Sequence, residues 1–428
     1  MTMEPVVIVL LLTYVLILLI AILELTSLSV AALIGAIVTA WFGIQYGAFT
    51  YEGALGFIDF KLIILLIGTM LVVEVAKRSG LFNVFALYAI KFSGGHSGRL
   101  FVAICVVAAL VSMFLSDPTA MLLVAAATVT ITKLLNYDPT PYFLSAAIMI
   151  NLGGTSTLIG SVSNMIIGVE AGLSFADFLS YMGLCEIILW ALTILALYFL
   201  FKSRLGTKTV LPEFNPKGSI KDKKLFYRSI FILVLMIVLF LTLDNLGVGP
   251  EAVAIGCGIL ALLMYKADPT DIFKEIDWET IFFIAGFMFI VGGLESTHIL
   301  SDVSTQLFQY AGGSSLIASQ ITLWFTGLTS GFVSNIAIAL TFTPIVSAQA
   351  LSGLNMGALW SSLVLGTNLG GATTPFSGAV MMMAIGTLKR EKISVKFKDF
   401  TKVGVITSLI QLGFASVYLM LRFGLIGT

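Results

Sequence analysis

Long apolar runs alternate with short polar breaks along the whole chain. A helix needs about 20 mainly apolar residues to cross a membrane, where it must satisfy its own backbone hydrogen bonds. Runs of this kind predict ten spanning helices, near residues 5–23, 29–47, 61–77, 142–170, 180–201, 229–245, 250–265, 279–294, 357–386 and 403–425. The pattern therefore predicts an all-α polytopic membrane protein.

Two further apolar segments do not fit this scheme. The segment between Arg99 and Lys133 is too short for two full crossings and too long for one. Ser116-Asp117-Pro118 interrupts it at its middle, and Ser334-Asn335 interrupts the stretch from 316 to 351 in the same way. A polar break inside an apolar segment predicts a re-entrant hairpin, which enters and leaves the membrane on one face. We therefore expect two re-entrant hairpins besides the spans.

An internal repeat relates the two hairpins. Gly68 recurs as Gly286 and the motif Phe114-x-Ser116 recurs as Phe332-x-Ser334, each 218 positions later. Asn151-Leu152-Gly153-Gly154 recurs as Asn368-Leu369-Gly370-Gly371, 217 positions later. Five spans and a hairpin in each half imply that the second half is inverted relative to the first. We expect a first repeat at 1–202, a cytoplasmic linker at 203–228 and a second, inverted repeat at 229–428.

The composition agrees with a membrane protein, since 58% of the residues are hydrophobic and only 11% are charged. The formal net charge is zero, which gives no indication of a nucleic-acid partner. The first apolar run lacks the positive start and the cleavage site of a signal peptide, so we expect a retained helix. The three cysteines are far apart in apolar runs, which predicts small buried side chains rather than a disulfide or metal site.

The basic residues indicate the orientation of the chain, because cytoplasmic loops carry most Lys and Arg. If the linker is cytoplasmic, the alternation of spans places every base except Lys61 and Arg422 inside. Loops assigned to the outside, such as 171–179 and 295–315, have no base. We therefore expect a multi-pass protein of the inner membrane, with the first hairpin opening from the cytoplasm and the second from the exterior.

The candidate chemistry lies where irregular backbone falls at membrane depth, because such backbone is tolerated only when buried or lining a cavity. Four segments qualify: 116–118, 151–160, 334–336 and 368–375. They offer hydroxyls, amides and glycines, and no Lys or Arg. The predicted substrate-binding residues are Ser116, Asn151, Thr155, Ser334, Asn335, Asn368, Thr373 and Thr374. The predicted cation ligands are Ser116, Asp117, Asn151, Gly153, Asn335 and Gly370.

Alternative roles exist for each of these residues taken singly. A glycine pair in a membrane helix is often a close-packing site, and a Ser or Thr often bonds the carbonyl one turn back. Asp117 is the strongest candidate, because an ionisable group at membrane depth is a functional candidate by default. Two further acids, Glu74 and Glu186, could relay protons or pair with Lys77 or a neighbouring helix. No cofactor is indicated, and the coupling ion would be Na⁺ or H⁺.

These motifs resemble those of the ion transporter superfamily, which includes divalent-anion/sodium symporters, arsenite permeases, the melanosomal P protein and sodium/proton antiporters. The segment Ser334-Asn335-Ile336-Ala337-Ile338-Ala339, with Pro344 following, is similar to the Ser-Asn-Thr-Ala-Thr tip of the divalent-anion symporters. Ser116-Asp117-Pro118 departs from the other tip by Asp for Asn and Pro for Thr. Residues 151–160 are more similar to the arsenite-permease and P-protein branch, whose Pro-Pro-Asn or Ser-Ala-Asn continuation is here Ser161-Val162-Ser163-Asn164.

The resemblance implies an elevator-type transporter with a scaffold part for dimerisation and a moving transport part. We therefore expect a homodimer in membrane lipid rather than an enzyme. Two functions stay open. One is cation-coupled transport of a small anion, such as a di- or tricarboxylate or an inorganic oxyanion. The other is an efflux antiporter for arsenite or sodium against protons.

Overall fold

A computed structural model describes residues 5–23, 26–115, 117–206, 220, 222–374, 377, 379–390, 395 and 397–425. Within these residues the regular secondary structure is entirely helical. The helices before the linker are α1 Pro5–Leu23, α2 Leu28–Gln45, α3 Tyr51–Leu55, α4 Phe60–Arg78, α5 Leu81–Ser93, α6 Ser97–Ser112, α7 Asp117–Leu134, α8 Pro139–Thr155, α9 Val162–Glu170 and α10 Phe175–Phe201.

The helices after the linker follow a matching order of lengths. They are α11 Lys223–Thr242, α12 Pro250–Tyr265, α13 Thr270–Phe273, α14 Trp278–Glu295, α15 Ile299–Phe308, α16 Ser315–Ser330, α17 Asn335–Ser347, α18 Met356–Gly370, α19 Ala379–Arg390 and α20 Phe397–Leu419. Six helical segments of the described chain are long and apolar enough to cross a membrane: Leu28–Gln45, Tyr51–Arg78, Phe175–Arg204, Lys223–Thr242, Trp278–Glu295 and Phe397–Gly424. This finding confirms the prediction of an all-α, multi-pass membrane protein.

The helix boundaries agree with the sequence-based prediction in one respect and differ from it in another. The predicted spans 142–170 and 357–386 are each two helices, interrupted at 156–161 and 371–378, close to the irregular segments predicted at 151–160 and 368–375. The predicted outer loop 295–315 contains α15, and the region after α4 contains α5. These two short helices were missed because neither has the length of a spanning run.

Small residues allow two helix pairs to approach closely. α4 packs on α12, where a Cβ atom on Gly68 would collide with the backbone of Ala254. α2 packs on α14, where a Cβ on Gly286 would lie 2.8 Å from the backbone carbon of Ala32. Each pair joins one helix from each half of the chain. The two halves are therefore packed together at backbone distance rather than through long side chains.

Three basic residues, Lys77, Arg78 and Arg228, lie at one end of the helix bundle. Arg78, at the end of α4, donates to the Tyr265 hydroxyl at 2.9 Å and to the Asp271 carbonyl at 2.7 Å. Lys77 pairs with Glu74 at 2.7 Å, as the sequence allowed. Arg228, at the start of α11, donates to the Met264 carbonyl at 3.2 Å. We call this end the basic face.

The two hairpin segments each return to the face from which they start. The Tyr137 hydroxyl, just after α7, donates to the Gly95 carbonyl, just before α6, at 2.8 Å. In the second half, the backbone N–H of Asn355, in the loop after α17, donates to Ser315 at the start of α16 at 2.8 Å. The turns between the helices of each pair, near 113–115 and 331–334, therefore lie at the opposite end of each pair from that face. We call them tip 1 and tip 2.

Candidate functional site

The first interruption, residues 156–161, is held by one buried side chain. The Asn164 amide donates to the carbonyls of Gly154 at 3.0 Å, Thr155 at 3.3 Å and Thr157 at 2.7 Å. A helix end leaves its last carbonyls without helical partners, and a buried polar group without a partner is costly. Asn164 is fully buried and supplies those partners. It therefore stabilises the open backbone between α8 and α9.

The second interruption, residues 371–378, is held in a different way. The Ser377 hydroxyl donates to the Gly371 carbonyl at 2.7 Å and accepts from the Thr374 N–H at 3.2 Å. Pro375, Phe376 and Gly378 lie outside the described residues. The two interruptions thus occupy corresponding positions but use different residues to satisfy their backbones.

Each tip is tied to the interruption of its own half by a matching hydrogen bond. The Thr157 hydroxyl donates to the Met113 carbonyl of tip 1 at 2.7 Å. The Thr374 hydroxyl donates to the Gly331 carbonyl of tip 2 at 2.8 Å. Both donors and both acceptors occupy equivalent positions of the sequence repeat. The predicted residue Thr373 lies beside the same tip, since a Cβ on Gly331 would be 3.3 Å from its Cβ.

The helices that flank the two interruptions meet through an asparagine network. The Asn151 side-chain amide donates to the Asn368 backbone carbonyl at 2.8 Å. The Asn368 amide donates to Asn164 Oδ1 at 2.8 Å, and Asn368 Oδ1 accepts from the Ser163 hydroxyl at 2.9 Å. Two predicted site residues are thus in direct contact. Ser163 and Asn164 were not predicted as site residues, although their place just after a glycine-rich break was a usable signal.

Tip 2 contains two further predicted residues. Ser334 is half-buried and precedes α17, and no side-chain cap bond is formed there. Asn335 is buried, and its Oδ1 accepts from the Ile336 N–H at 2.9 Å. The hydrogen bond of Asn335 therefore stays within the start of its own helix. In tip 1, Ser116 and the side chain of Asp117 lie outside the described residues, and the backbone of Asp117 begins α7.

Three predicted residues have local packing or bonding roles. A Cβ on Gly153 would collide with the backbone of Ala109 in α6, and one on Gly370 with the backbone of Gly327 in α16. These glycines let α8 and α18 contact the hairpin helices at backbone distance. The Thr155 hydroxyl donates to the Asn151 carbonyl one turn back, at 3.2 Å. Cation or substrate binding by these three residues remains a prediction.

Two cavities approach this region from opposite ends of the bundle. The inner cavity, of about 50 Å³, opens beside Glu74 near the basic face. Phe114 and Thr119 of the first hairpin line it together with Gly160 of the first interruption. Tip 1 and the first interruption therefore share one small cavity, which has room for a few water molecules or an ion.

The outer cavity, of about 460 Å³, lies at the opposite end of α4. Four charged residues line it: Asp59, Lys61, Glu170 and Glu295. Thr343 of α17 lies in the same wall. Its volume is in the range of small-molecule sites. Lys61, one of the two bases that did not fit the cytoplasmic assignment, is thus at the mouth of a cavity.

The structure also shows the surroundings of the three cysteines and of Glu186. All three cysteines are buried and free, as the sequence predicted. In the part of the chain that the structure describes, no group of three or more His, Cys, Asp or Glu side chains could hold a metal ion. Glu186 is buried in α10 and accepts a hydrogen bond from Ser156 at 3.3 Å.

A multi-pass helical bundle with two interrupted helices, two helical hairpins and cavities at opposite ends is the architecture of a membrane transporter. Comparison with known proteins agrees with this class. The chain belongs to the citrate transporter family CitMHS, whose family model matches residues 14–366. This result confirms the resemblance to the ion transporter superfamily.

Individual relatives extend the comparison. The chain is 30% identical over 377 residues to a 46 kDa membrane protein of Mycobacterium leprae, an alignment that covers 86% of this chain and 87% of the relative. It is 29% identical over 381 residues to an uncharacterized transporter of Mycobacterium tuberculosis, covering 86% and 88%. It is 25% identical over 455 residues to the P protein of Mus musculus, covering 86% of this chain and 54% of that protein.

A solved structure supports the fold. The Alcanivorax borkumensis YdaH transporter matches with a TM-score of 0.66 over 95% of this chain and 98% of the other, at 15% sequence identity. At this identity the match concerns the fold alone. The family model describes a citrate transporter, and the Mycobacterium tuberculosis relative is named as a transporter. The chain is a membrane transporter rather than an enzyme.

Proposed function

We propose that this protein is an elevator-type secondary transporter that moves a small anion, such as a di- or tricarboxylate or an inorganic oxyanion, coupled to Na⁺ or H⁺. The transport site lies where the two tips and the two interruptions meet. The family description adds citrate as the first substrate to test.

The proposed inverted repeats are supported by contacts between equivalent residues. In a molecule with an internal two-fold axis, a residue can contact its equivalent in the other half only if both lie close to that axis. Asn151 bonds Asn368, its equivalent 217 positions later. Gln411 Nε2 donates to Thr193, its equivalent 218 positions earlier, at 3.0 Å. Both bonds support an axis that passes between α8 and α18 and between α10 and α20.

The proposed anion site is supported by helix dipoles. Glu170 at the end of α9 accepts from Ser347 at the end of α17 at 3.0 Å, so the two helices end together. Their packed, parallel course brings both N-termini to the middle of the bundle. A helix N-terminus carries free N–H groups and a partial positive charge that favours an anion. The tips and interruptions contain no Lys or Arg, so dipoles, hydroxyls and a bound cation would hold the substrate.

The proposed cation site uses oxygen ligands near the same place. Carboxylate, amide and carbonyl oxygens suit a hard cation such as Na⁺, and the candidates are Ser116, Asp117, Asn151, Gly153, Asn335 and Gly370. Close packing of α2 on α14 and α4 on α12 supports a rigid scaffold, against which the tips and interruptions would move. By the superfamily resemblance, we propose a homodimer formed by scaffold parts.

The matched bonds Thr157 to Met113 and Thr374 to Gly331 are the observation that carries this proposal. They support two equivalent half-sites, each made of one tip and one interruption. Purified protein in liposomes, given radiolabelled citrate, should accumulate it under an inward Na⁺ or proton gradient. Failure of citrate and other carboxylates to move, with arsenite or Na⁺ moving against protons instead, would establish the antiporter alternative.

A further inference from the structure

Glu186 is a carboxylate inside the bundle that the proposed anion and cation sites do not use. Its side chain is 2% exposed. Oε2 accepts a hydrogen bond from the Ser156 hydroxyl at 3.3 Å. Ser156 also accepts from the Trp190 indole at 3.1 Å, so α10 holds it from two positions. Ser156 is the first residue after α8, and Glu186 is therefore in contact with the first interruption itself.

No positive charge among the described residues pairs with this carboxyl. Its Oε1 is buried without a hydrogen-bond partner in the described part of the chain. Cys185, its neighbour on α10, interacts with it. Tyr418 of α20 lies near Cys185 and bonds Arg422, and its hydroxyl also donates to the Tyr181 carbonyl at 2.7 Å. The Arg422 guanidinium lies 5.8 Å from the centre of the Tyr181 ring. Tyr181 precedes Glu186 by five positions, which is about 7.5 Å along α10.

Two of the helices packed against α10 supply neutral groups on this side. α8 contributes Ser156 beside Glu186, and α20 contacts α10 through Gln411, which bonds Thr193 two turns further along α10. An isolated ionised carboxylate is far more costly to bury than a neutral carboxylic acid. The arrangement described here therefore favours the protonated form of Glu186.

We propose that Glu186 is the proton-binding site that couples transport to a proton gradient. This inference rests on the proposed transport function. Glu186 holds a proton while Ser156 and Trp190 close the first interruption against α10. When the interruption moves, the contact between Ser156 and the carboxyl breaks and water enters. The O–H bond of the acid then breaks, the proton passes to water, and the carboxylate remains hydrated until the next cycle.

Infrared spectroscopy of the reconstituted full-length protein tests the site without any need for a substrate. At neutral pH the wild type should show the carbonyl stretch of a buried protonated carboxylic acid. Glu186→Gln should lose that band, whereas the exposed carboxylate variant Glu52→Gln should keep it. Ser156→Ala keeps the carboxyl and should shift the frequency of the band, because one hydrogen bond to it is lost. A band that is the same in wild type and Glu186→Gln would overturn the proposal.

Transport in the same vesicles separates this inference from the proposed function. Labelled citrate should exchange with internal citrate at a near-normal rate in Glu186→Gln. Uptake driven by an inward proton gradient should fall at least tenfold in that variant and should be unchanged in Glu52→Gln. Gradient-driven uptake equal to wild type would overturn the role of Glu186. If the wild type does not move citrate, the substrate assignment fails while the infrared result still decides whether Glu186 binds a proton.

Discussion

Asn151 donates a hydrogen bond to the backbone carbonyl of Asn368 at 2.8 Å, although the two residues lie 217 positions apart. Each is the first residue of a repeated Asn-Leu-Gly-Gly motif. Their contact joins α8 to α18, the two helices that precede the interruptions. Any movement of α8 relative to α18 must therefore break this bond.

Asn164 should be a major determinant of stability. Asn164→Ala removes the donor for three buried carbonyls at distances of 2.7 to 3.3 Å. Its two amide hydrogens serve these three carbonyls, and its Oδ1 accepts from Asn368. At about 1 kcal/mol for each of these three hydrogen bonds, the loss should be roughly 3 kcal/mol. Thermal unfolding of the detergent-solubilised protein measures the effect. Asn83→Ala, an exposed asparagine of α5, is the control and should change stability little. Equal melting temperatures for the two variants would contradict the role of Asn164.

Because α18 lies very close to the hairpin helix α16, we expect an added methyl group to be tolerated at Gly413 but not at Gly370. Gly370→Ala places a Cβ against the backbone of Gly327, so we expect a loss of several kcal/mol or failure to fold. Gly413→Ala, within α20, meets no atom within 4 Å and should be neutral or stabilising by up to about 1 kcal/mol. Expression level and thermal stability of both variants give the comparison. A tolerated Gly370→Ala would show that this contact is loose.

Features marked by several neighbouring residues could be predicted from the sequence, whereas contacts between residues far apart in the chain could not. The interrupted helices and tips were predictable, because glycine pairs and polar residues stand out within apolar runs. α5 and α15 were missed, since short interfacial helices have neither the length of a span nor a strong break. The equivalence of Asn151 and Asn368 was visible as a repeat, but their contact was not, because only residues near the symmetry axis meet their equivalents. The part played by Asn164 depends on three carbonyls whose positions the sequence alone does not give.

The ion pair between Asp138 and Arg204 predicts a pH-dependent contribution to stability. Burial alone would raise the pKa of Asp138, but hydrogen bonds from Thr140 and Arg204 outweigh it and hold the pKa below the usual value. The contribution should be present above the unfolded-state pKa of about 3.9 and lost as the pH falls through the lower folded-state value. Because the pair is partly exposed, we expect at most about 1 kcal/mol.

Asp138→Asn isolates the charge, because Asn caps the start of α8 as well as Asp does. Melting temperatures of this variant and the wild type should differ at pH 7, and the difference should shrink as the pH falls below about 4. Asp302→Asn, at an exposed position of α15, is the control at both pH values. A difference that persists unchanged in acid would rule out the ion pair as its cause.

Asp117 should determine the dependence of transport on the coupling cation. It begins α7, and its equivalent position in the second half is the neutral Asn335. A carboxylate and a monovalent cation at ~4 Å attract by about 4 kcal/mol at an effective dielectric constant near 20. A net gain of even a quarter of that would change cation affinity roughly fivefold. Asp117→Asn should raise the half-maximal cation concentration, and Asn335→Asp should alter it less or in the opposite sense. Unchanged cation dependence in Asp117→Asn would mean that the carboxylate is structural.

Opposite movement of the two tips is the most direct consequence of a transport site shared by two inverted halves. Ser116→Cys and Ser334→Cys place one thiol at each tip, and the three native cysteines are buried and add little background. A membrane-impermeant thiol reagent, applied to intact cells with and without citrate and Na⁺, measures the exposure of each tip. We predict that the accessibility of the two thiols changes in opposite senses when substrate and cation are added. Parallel changes, or no change at either tip, would contradict alternating access through this site.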